Sequence, residues 1–221
     1  MTINLKKLIT FASLMTLSLH LHAINYYVSP SGNDNNAGTR ENAPLASLAT
    51  AQKKVKAGDK VYILPGTYQV KENEMMDKTS SNVWDIIFDF STSGTADSPI
   101  IYIGVQDAQG NQPVFDLSAI NTGKRLTGFY IHAKYLEFSN FEVIGINVPK
   151  SSSNTQSENI RINGGNYCRF YNIAAHDGMG IGFYLTGRSA HNTISLCDAY
   201  NNFDSVNISV NNGGNSDGFG C

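Results

Sequence analysis

The chain has 221 residues, 41% of them hydrophobic and only 15% charged, which suits one globular or solenoid domain and excludes a disordered polypeptide. A formal net charge of −2 at pH 7 excludes a nucleic-acid binder, which needs clustered positive charge. Twenty Gly and abundant Asn point to many turns, and no long helical periodicity competes with them.

Met1 to Ala23 has the layout of a secretory leader: Lys6 and Lys7 form the basic start, Leu8 to Leu19 the apolar middle, and Leu21-His22-Ala23 the cleavage site. The apolar run is too short to span a membrane, and no Cys lies near the cleavage point to accept a lipid. The expected mature protein therefore begins near Ile24, is secreted or periplasmic, and forms one domain over residues 24–221, monomeric and with no membrane span.

Tyr26-Tyr27-Val28-Ser29-Pro30-Ser31-Gly32-Asn33-Asp34 reads as a strand running into a turn. Pro44 suits the first turn of a helix, Leu45, Leu48, Gln52 and Val55 follow helical spacing, and Gly58 is placed to end it in a left-handed conformation. Val61 to Leu64 makes a strand and Pro65-Gly66-Thr67-Tyr68 a turn. Further short strands are expected at Asp85–Phe90, Pro99–Ile103, Pro113–Leu117, Gly128–Ile131 and Gly180–Leu185, each bounded by Gly, Pro or polar residues.

One pattern then recurs. Leu136-Glu137-Phe138-Ser139-Asn140-Phe141-Glu142-Val143 is repeated by Cys168-Arg169-Phe170-Tyr171-Asn172-Ile173-Ala174-Ala175 and again by Ile194-Ser195-Leu196-Cys197-Asp198-Ala199-Tyr200. With Phe138, Phe170 and Leu196 as equivalents the intervals are 32 and 26 residues, and the polar run Ser151 to Glu158 can bulge from the longer one as a loop. Period-two alternation with β-branched and aromatic residues in the apolar slots indicates strands, and coils of about 24 to 26 residues indicate a solenoid. The expected fold is all-β, a right-handed parallel β-helix with a short N-terminal capping helix. A ladder is expected at one bend, formed by Asn140, Asn172 and Asp198, unless these are ordinary turn residues.

Three Cys, at 168, 197 and 221, give an odd count for an exported chain. Cys168 and Cys197 fall at different points of the pattern, so buried thiols are expected before a disulfide or a metal site.

The N-terminal Val28-Ser29-Pro30-Ser31-Gly32 through Gly58-Asp59 and Pro65-Gly66-Thr67-Tyr68, the coils with their Asn bends, and the closing Asn215-Ser216-Asp217-Gly218-Phe219-Gly220-Cys221 together resemble pectate lyases of polysaccharide lyase family nine. The resemblance implies a right-handed β-helix that cleaves polyuronates such as pectin by β-elimination. It implies Ca2+ held by a cluster of Asp carboxylates on the substrate's own carboxylate, and a Lys that removes the C5 proton. Asp217 corresponds to the first calcium-binding Asp. The remaining Asp cluster and the Lys have no counterpart before Cys221, so the domain is expected to be incomplete at its C-terminal end and inactive as it stands.

Outside that motif, His176-Asp177-Gly178 is either a substrate-groove pair or an Asp-Gly turn beside a surface His. The interval of 40 residues to Asp217 allows Asp177 to lie one coil earlier on the same side. Arg188 and His191 lie in a loop that can contact an acidic polymer. Lys134 and Lys150 are isolated, with nothing nearby to lower a pKa. Two other function classes fit the same fold: a non-catalytic β-helix that binds or displays polysaccharide, and a β-helix glycoside hydrolase, which needs paired carboxylates flanking the bond.

Overall fold

The computed structural model describes residues 22–78, 84–148, 156–206 and 216–221. The expected leader, apart from His22 and Ala23, most of the Ser151–Glu158 run and Lys150 lie outside them.

Among the described residues there are fourteen strands: β1 (Asn25–Val28), β2 (Lys60–Ile63), β3 (Thr67–Gln69), β4 (Trp84–Phe90), β5 (Ile100–Gly104), β6 (Val114–Asp116), β7 (Arg125–Ile131), β8 (Leu136–Ile144), β9 (Glu158–Asn163), β10 (Arg169–His176), β11 (Ile181–Thr186), β12 (Thr193–Ser195), β13 (Asp198–Tyr200) and β14 (Phe219–Gly220). All ladders between them are parallel. Three faces result. Sheet 1 runs β1, β2, β5, the first half of β8, the first half of β10 and β12; sheet 2 runs β3, β6, the second halves of β8 and β10, and β13; sheet 3 runs β4, β7, β9, β11 and β14. Each coil visits the three in turn, so the chain is a right-handed parallel β-helix, the hand that parallel crossovers overwhelmingly take.

The interior is built by stacking like on like. Val61, Tyr102, Phe138, Phe170 and Ile194 occupy one column, and the Tyr102–Phe138 and Phe138–Phe170 rings lie face to face at 5.0 and 5.2 Å. From the other faces Phe88, Phe115, Phe129 and Phe141 interlock edge to face and stacked, all fully or almost fully buried. Such ring pairs add about 0.5–1.5 kcal/mol each beyond their buried area.

The bend between sheets 1 and 2 falls at Asn140, Asn172 and Leu196, at φ of 61°, 52° and 52°. The Asn172 side-chain amide donates to Asn140 Oδ1 at 2.9 Å, so two rungs of the expected ladder exist. The third is displaced by two residues. Ile194, not Leu196, is in register with Phe170, and Asp198 pairs with Ala174 beyond the bend. The pattern alone matched Leu196 to Phe170 because a two-residue slip preserves the alternation of faces. Leu196 thus takes the left-handed position, where its side chain is 68% exposed. The interval from Phe170 to Ile194 is 24 residues, and the longer third coil carries its excess in residues 145–157, between β8 and β9. Glu158 belongs to β9 rather than to that loop.

The N-terminal helix is shorter than its periodicity predicts. α1 covers Leu48–Gln52 only, because Asp34 takes the backbone N–H groups of Ala46 and Ser47, leaving Ser47 to cap the helix by accepting from Thr50 N. Gly58, at φ 91°, serves the turn into β2 and not the helix end, which is the ordinary right-handed Lys53. Thr67 and Tyr68, expected in the turn that starts at Pro65, belong instead to β3, which pairs with β6. Leu45, Leu48 and Val55 are nonetheless buried in the apolar core beside β1 and β4. The three cysteines are unpaired; Cys168 is buried, Cys197 half-buried and Cys221 exposed.

Two measurements check this account. Leu48→Asp places a carboxylate in the core and is expected to cost at least about 3 kcal/mol in urea denaturation; an unchanged midpoint would show that α1 covers nothing. Leu196→Asn is expected to stabilise by about 1 kcal/mol, since Asn tolerates the left-handed bend and can donate to Asn172, whereas Leu196→Val, branched at Cβ, should destabilise.

Candidate functional site

On the outward side of sheet 2 alternation places Asp116, Ile144, His176 and Tyr200 in one column and Val114, Glu142, Ala174 and Asp198 in the next. His176 is buried because the Tyr200 ring stacks on it at 4.3 Å. Its Nδ1 lies 2.7 Å from Asp177 Oδ2 and its Nε2 3.1 Å from Glu142 Oε2. Only the doubly protonated ring donates to both carboxylates at once. Asp177 sits at φ 50° on the corner leading to sheet 3, and the hydrogen bond from His176, followed by one from Asn201, holds its carboxyl below the usual carboxylate range. Tyr200 is pushed up, first by burial and then by the charges of Glu142, Asp177 and Asp198. The patch is acidic: two carboxylates, Glu142 and Asp177, hold the imidazole, and Asp198 adds its charge beside Tyr200.

The positions singled out from sequence do not converge. Arg188 lies exposed in the turn after β11, so all six residues of that strand, about 20 Å, separate it from the corner at Asp177. His191 stacks on Tyr167, and Tyr167 on Tyr135, in a column of rings at the corner between sheets 3 and 1. Asp217 is exposed at the entry to β14, where its carbonyl accepts from Gly182 N. The residue one coil beyond Asp177 is Asn201, also left-handed, so the interval of 40 residues does not put Asp217 in register with Asp177.

Calcium, implied by the sequence resemblance, can be tested against the side chains present. All 18 Asp and Glu are among the described residues, and no group of three or more His, Cys, Asp or Glu is gathered there to hold a metal. Useful affinity for calcium comes from six to eight oxygens, so these residues do not fit the ion, and Asp217 stands alone.

Sheet 3 presents a different surface, which the sequence pattern did not reveal. Phe129, Ile131, Ile160, Ile162 and Phe183 face inward, so Tyr130, Arg161 and Tyr184 face outward in one register column. The Arg161 guanidinium lies 4.9 Å from the centre of the Trp84 ring and 5.3 Å from that of Tyr184. Its Nη1 donates to Glu158 Oε1 at 2.9 Å, and Arg125 Nη2 is 3.8 Å from the same oxygen. Burial pushes Glu158 up, against the opposing charge of Arg161, a hydrogen bond from Thr127 and the charge of Arg125. Trp84, Arg125, Arg161 and Tyr184 come from four successive coils. No sequence spacing announces them, because coil length varies and only the ladder register aligns them.

The family model for the Pel9A-like right-handed β-helix region matches residues 26–221. The chain belongs to this family. This Pel9A-like chain is 29% identical over 197 residues to pectate lyase L of Dickeya dadantii, covering 88% of the chain and 40% of that protein. Among solved structures, a rhamnogalacturonan lyase superposes with a TM-score of 0.78 at 41% identity, covering 89% of the chain and 46% of its partner. Pectate lyase Pel9A superposes at 0.65 with 28% identity, covering 89% and 43%. The chain thus spans less than half the length of these relatives, and its β-helix is of the pectate and rhamnogalacturonan lyase type. No helix among the described residues is long and apolar enough to cross a membrane.

The lowered Asp177 carboxyl gives a pH dependence with a definite sign. A depressed folded value stabilises fully above the unfolded Asp value of about 3.9 and is lost as pH falls through the folded value. Asp177→Asn keeps the left-handed bend and removes the charge. Its melting temperature should lie below that of the parent at pH 6, and the gap should close below about pH 4; a gap independent of pH in calorimetry would contradict the role given to His176.

Proposed function

We propose that this chain is the β-helical scaffold of an exported polysaccharide lyase that acts on an acidic, pectin-type polymer. The observation that carries the reading is the family match over residues 26–221, joined to relatives named for cleaving pectate and rhamnogalacturonan. Both polymers contain uronate residues, whose carboxylate acidifies the neighbouring C5 proton and so permits β-elimination. Within that reading the domain of residues 24–221 supplies polymer binding, and Asp217 contributes one oxygen ligand toward a calcium site that the chain's other carboxylates do not complete. Candidate substrate contacts on the sheet 2 corner are His176 and Asp177, with Arg188 at the far corner. Export follows from the layout of Met1 to Ala23.

The test has two parts. In affinity electrophoresis the chain should be retarded by polygalacturonate in the gel and not by neutral galactan, and equal mobility in both gels would sink the polyuronate reading. Followed by absorbance with calcium present, the chain should release no unsaturated product from polygalacturonate. Calcium-dependent product that disappears in Asp217→Ala would show that elimination is carried by these residues.

A further inference from the structure

The expected leader ends at Ala23, and the first residue beyond it is held in a particular way. Ala23 and Ile24 are both exposed, so the bond between them lies on the surface. The Ile24 backbone is nevertheless fixed at both ends. Its N–H donates to Asp59 Oδ1 at 2.8 Å, and its carbonyl accepts from Lys60 N at 2.9 Å. The chain then enters β1, which pairs with β2 over all four residues.

Asp59 is the unusual member of this arrangement. It is 3% exposed, and its other oxygen accepts from Lys56 N at 2.8 Å. Two amide donors satisfy its hydrogen bonding but do not neutralise its charge. Among the described residues no Lys, Arg or His side chain comes within ion-pair distance of it, although His22, Lys54 and Lys56 line the same cleft. The charge is felt nearby: the phenols of Tyr26 and Tyr102 are pushed up, by burial first and by Asp59 second. Burying a carboxylate without a cation is costly, and a cation held against it by a hydrogen bond offsets that cost.

We infer that removal of the leader at Ala23 makes Asp59 an ion-pair receptor: the new Ile24 ammonium docks on its carboxylate and fastens β1 to the turn before β2. In the hydrolysis one water supplies an oxygen to the departing Ala23 carboxylate and two protons to the Ile24 nitrogen, which becomes an ammonium at neutral pH. The nitrogen does not have to travel. It already lies 2.8 Å from Asp59 Oδ1, and the Ile24 carbonyl stays tied to β2, so cleavage adds a full charge to an existing contact. A charge-assisted hydrogen bond is roughly twice as strong as a neutral one. The other ammonium protons reach water, since Ile24 is 40% exposed. A chain that keeps one more residue retains an amide at Ile24 and carries its ammonium about 3.8 Å away. The pair therefore forms only after processing, and only from a cut at this bond. The inference rests on the export reading above and is independent of which polymer is bound.

When the full chain is exported by a bacterial host, N-terminal sequencing should begin at Ile24. Asp59→Asn removes the charge and one acceptor, and the lost acceptor weighs equally before and after processing. The variant should therefore lower the melting temperature of the exported protein by about 4 °C more than that of the unprocessed chain from cell-free synthesis. At pH 7 acetic anhydride should acylate the α-amine of the exported protein about tenfold more slowly than that of the peptide of residues 24–27, because a carboxylate partner holds more of it protonated. This reaction needs no variant and decides the matter if Asp59→Asn does not fold. Equal effects of Asp59→Asn on the two chains, or an α-amine as reactive as the peptide's, would overturn the ion pair. A leader cut at another bond would overturn it and leave export standing, whereas a leader never removed would overturn the export reading as well.

Discussion

Parallel strands meet their neighbours about 4.8 Å away, residue against residue, and this spacing governs the rest of the molecule. A side chain at one register position must tolerate whatever stands directly above and below it. Tyr102, Phe138 and Phe170 do so as parallel rings and Asn140 with Asn172 as a chain of amides. Tyr135, Tyr167 and His191 do so as an outer column of rings on left-handed backbone. The bends obey the same rule: Gly145, Asp177 and Asn201 share a positive φ in successive coils, so the cross-section turns at the same points each time round.

What the ladder imposes locally was legible in the sequence, and what it imposes between coils was legible only in part. The alternation around Phe138 and Phe170 announced strands, and the repeat announced a solenoid. The Leu196 alignment failed by two residues since nothing in Ile194-Ser195-Leu196 distinguishes one apolar residue from another as the interior one; the ladder to β10 decides it. The capping helix failed in extent for a different reason. Its spacing from Leu45 to Val55 reflects burial, which the structure retains, while Asp34 satisfies the backbone at Ala46 and Ser47 and so sets the first turn further along.

The candidate site divides along the same line. His176-Asp177 is adjacent in sequence and could be noticed; its third partner, Glu142, is one coil away and could not. The Arg161 surface was invisible for that reason throughout, as Trp84, Arg125, Glu158 and Tyr184 reach it from segments of unequal spacing. Glu158 and Arg161 alone lie within one strand, and a charged pair in a strand ordinarily signals a solvated face. Here the carboxylate is buried and the guanidinium nearly so, which turns an unremarkable pair into a strong field in a low-dielectric setting.

The corner between sheets 2 and 3 differs from the rest of the coil. Between β10 and β11 it takes 4 residues, between β8 and β9 it takes 13, and between β13 and β14 it takes 18, whereas the corner between sheets 3 and 1 stays within 4 to 9. Closing a longer loop costs little, only about 0.6 kcal/mol for each doubling. The molecule therefore has a rigid spine and one fringe along which length is nearly free, and that fringe borders the outward surface of sheet 3. Length can be added there without disturbing a single stacked ring.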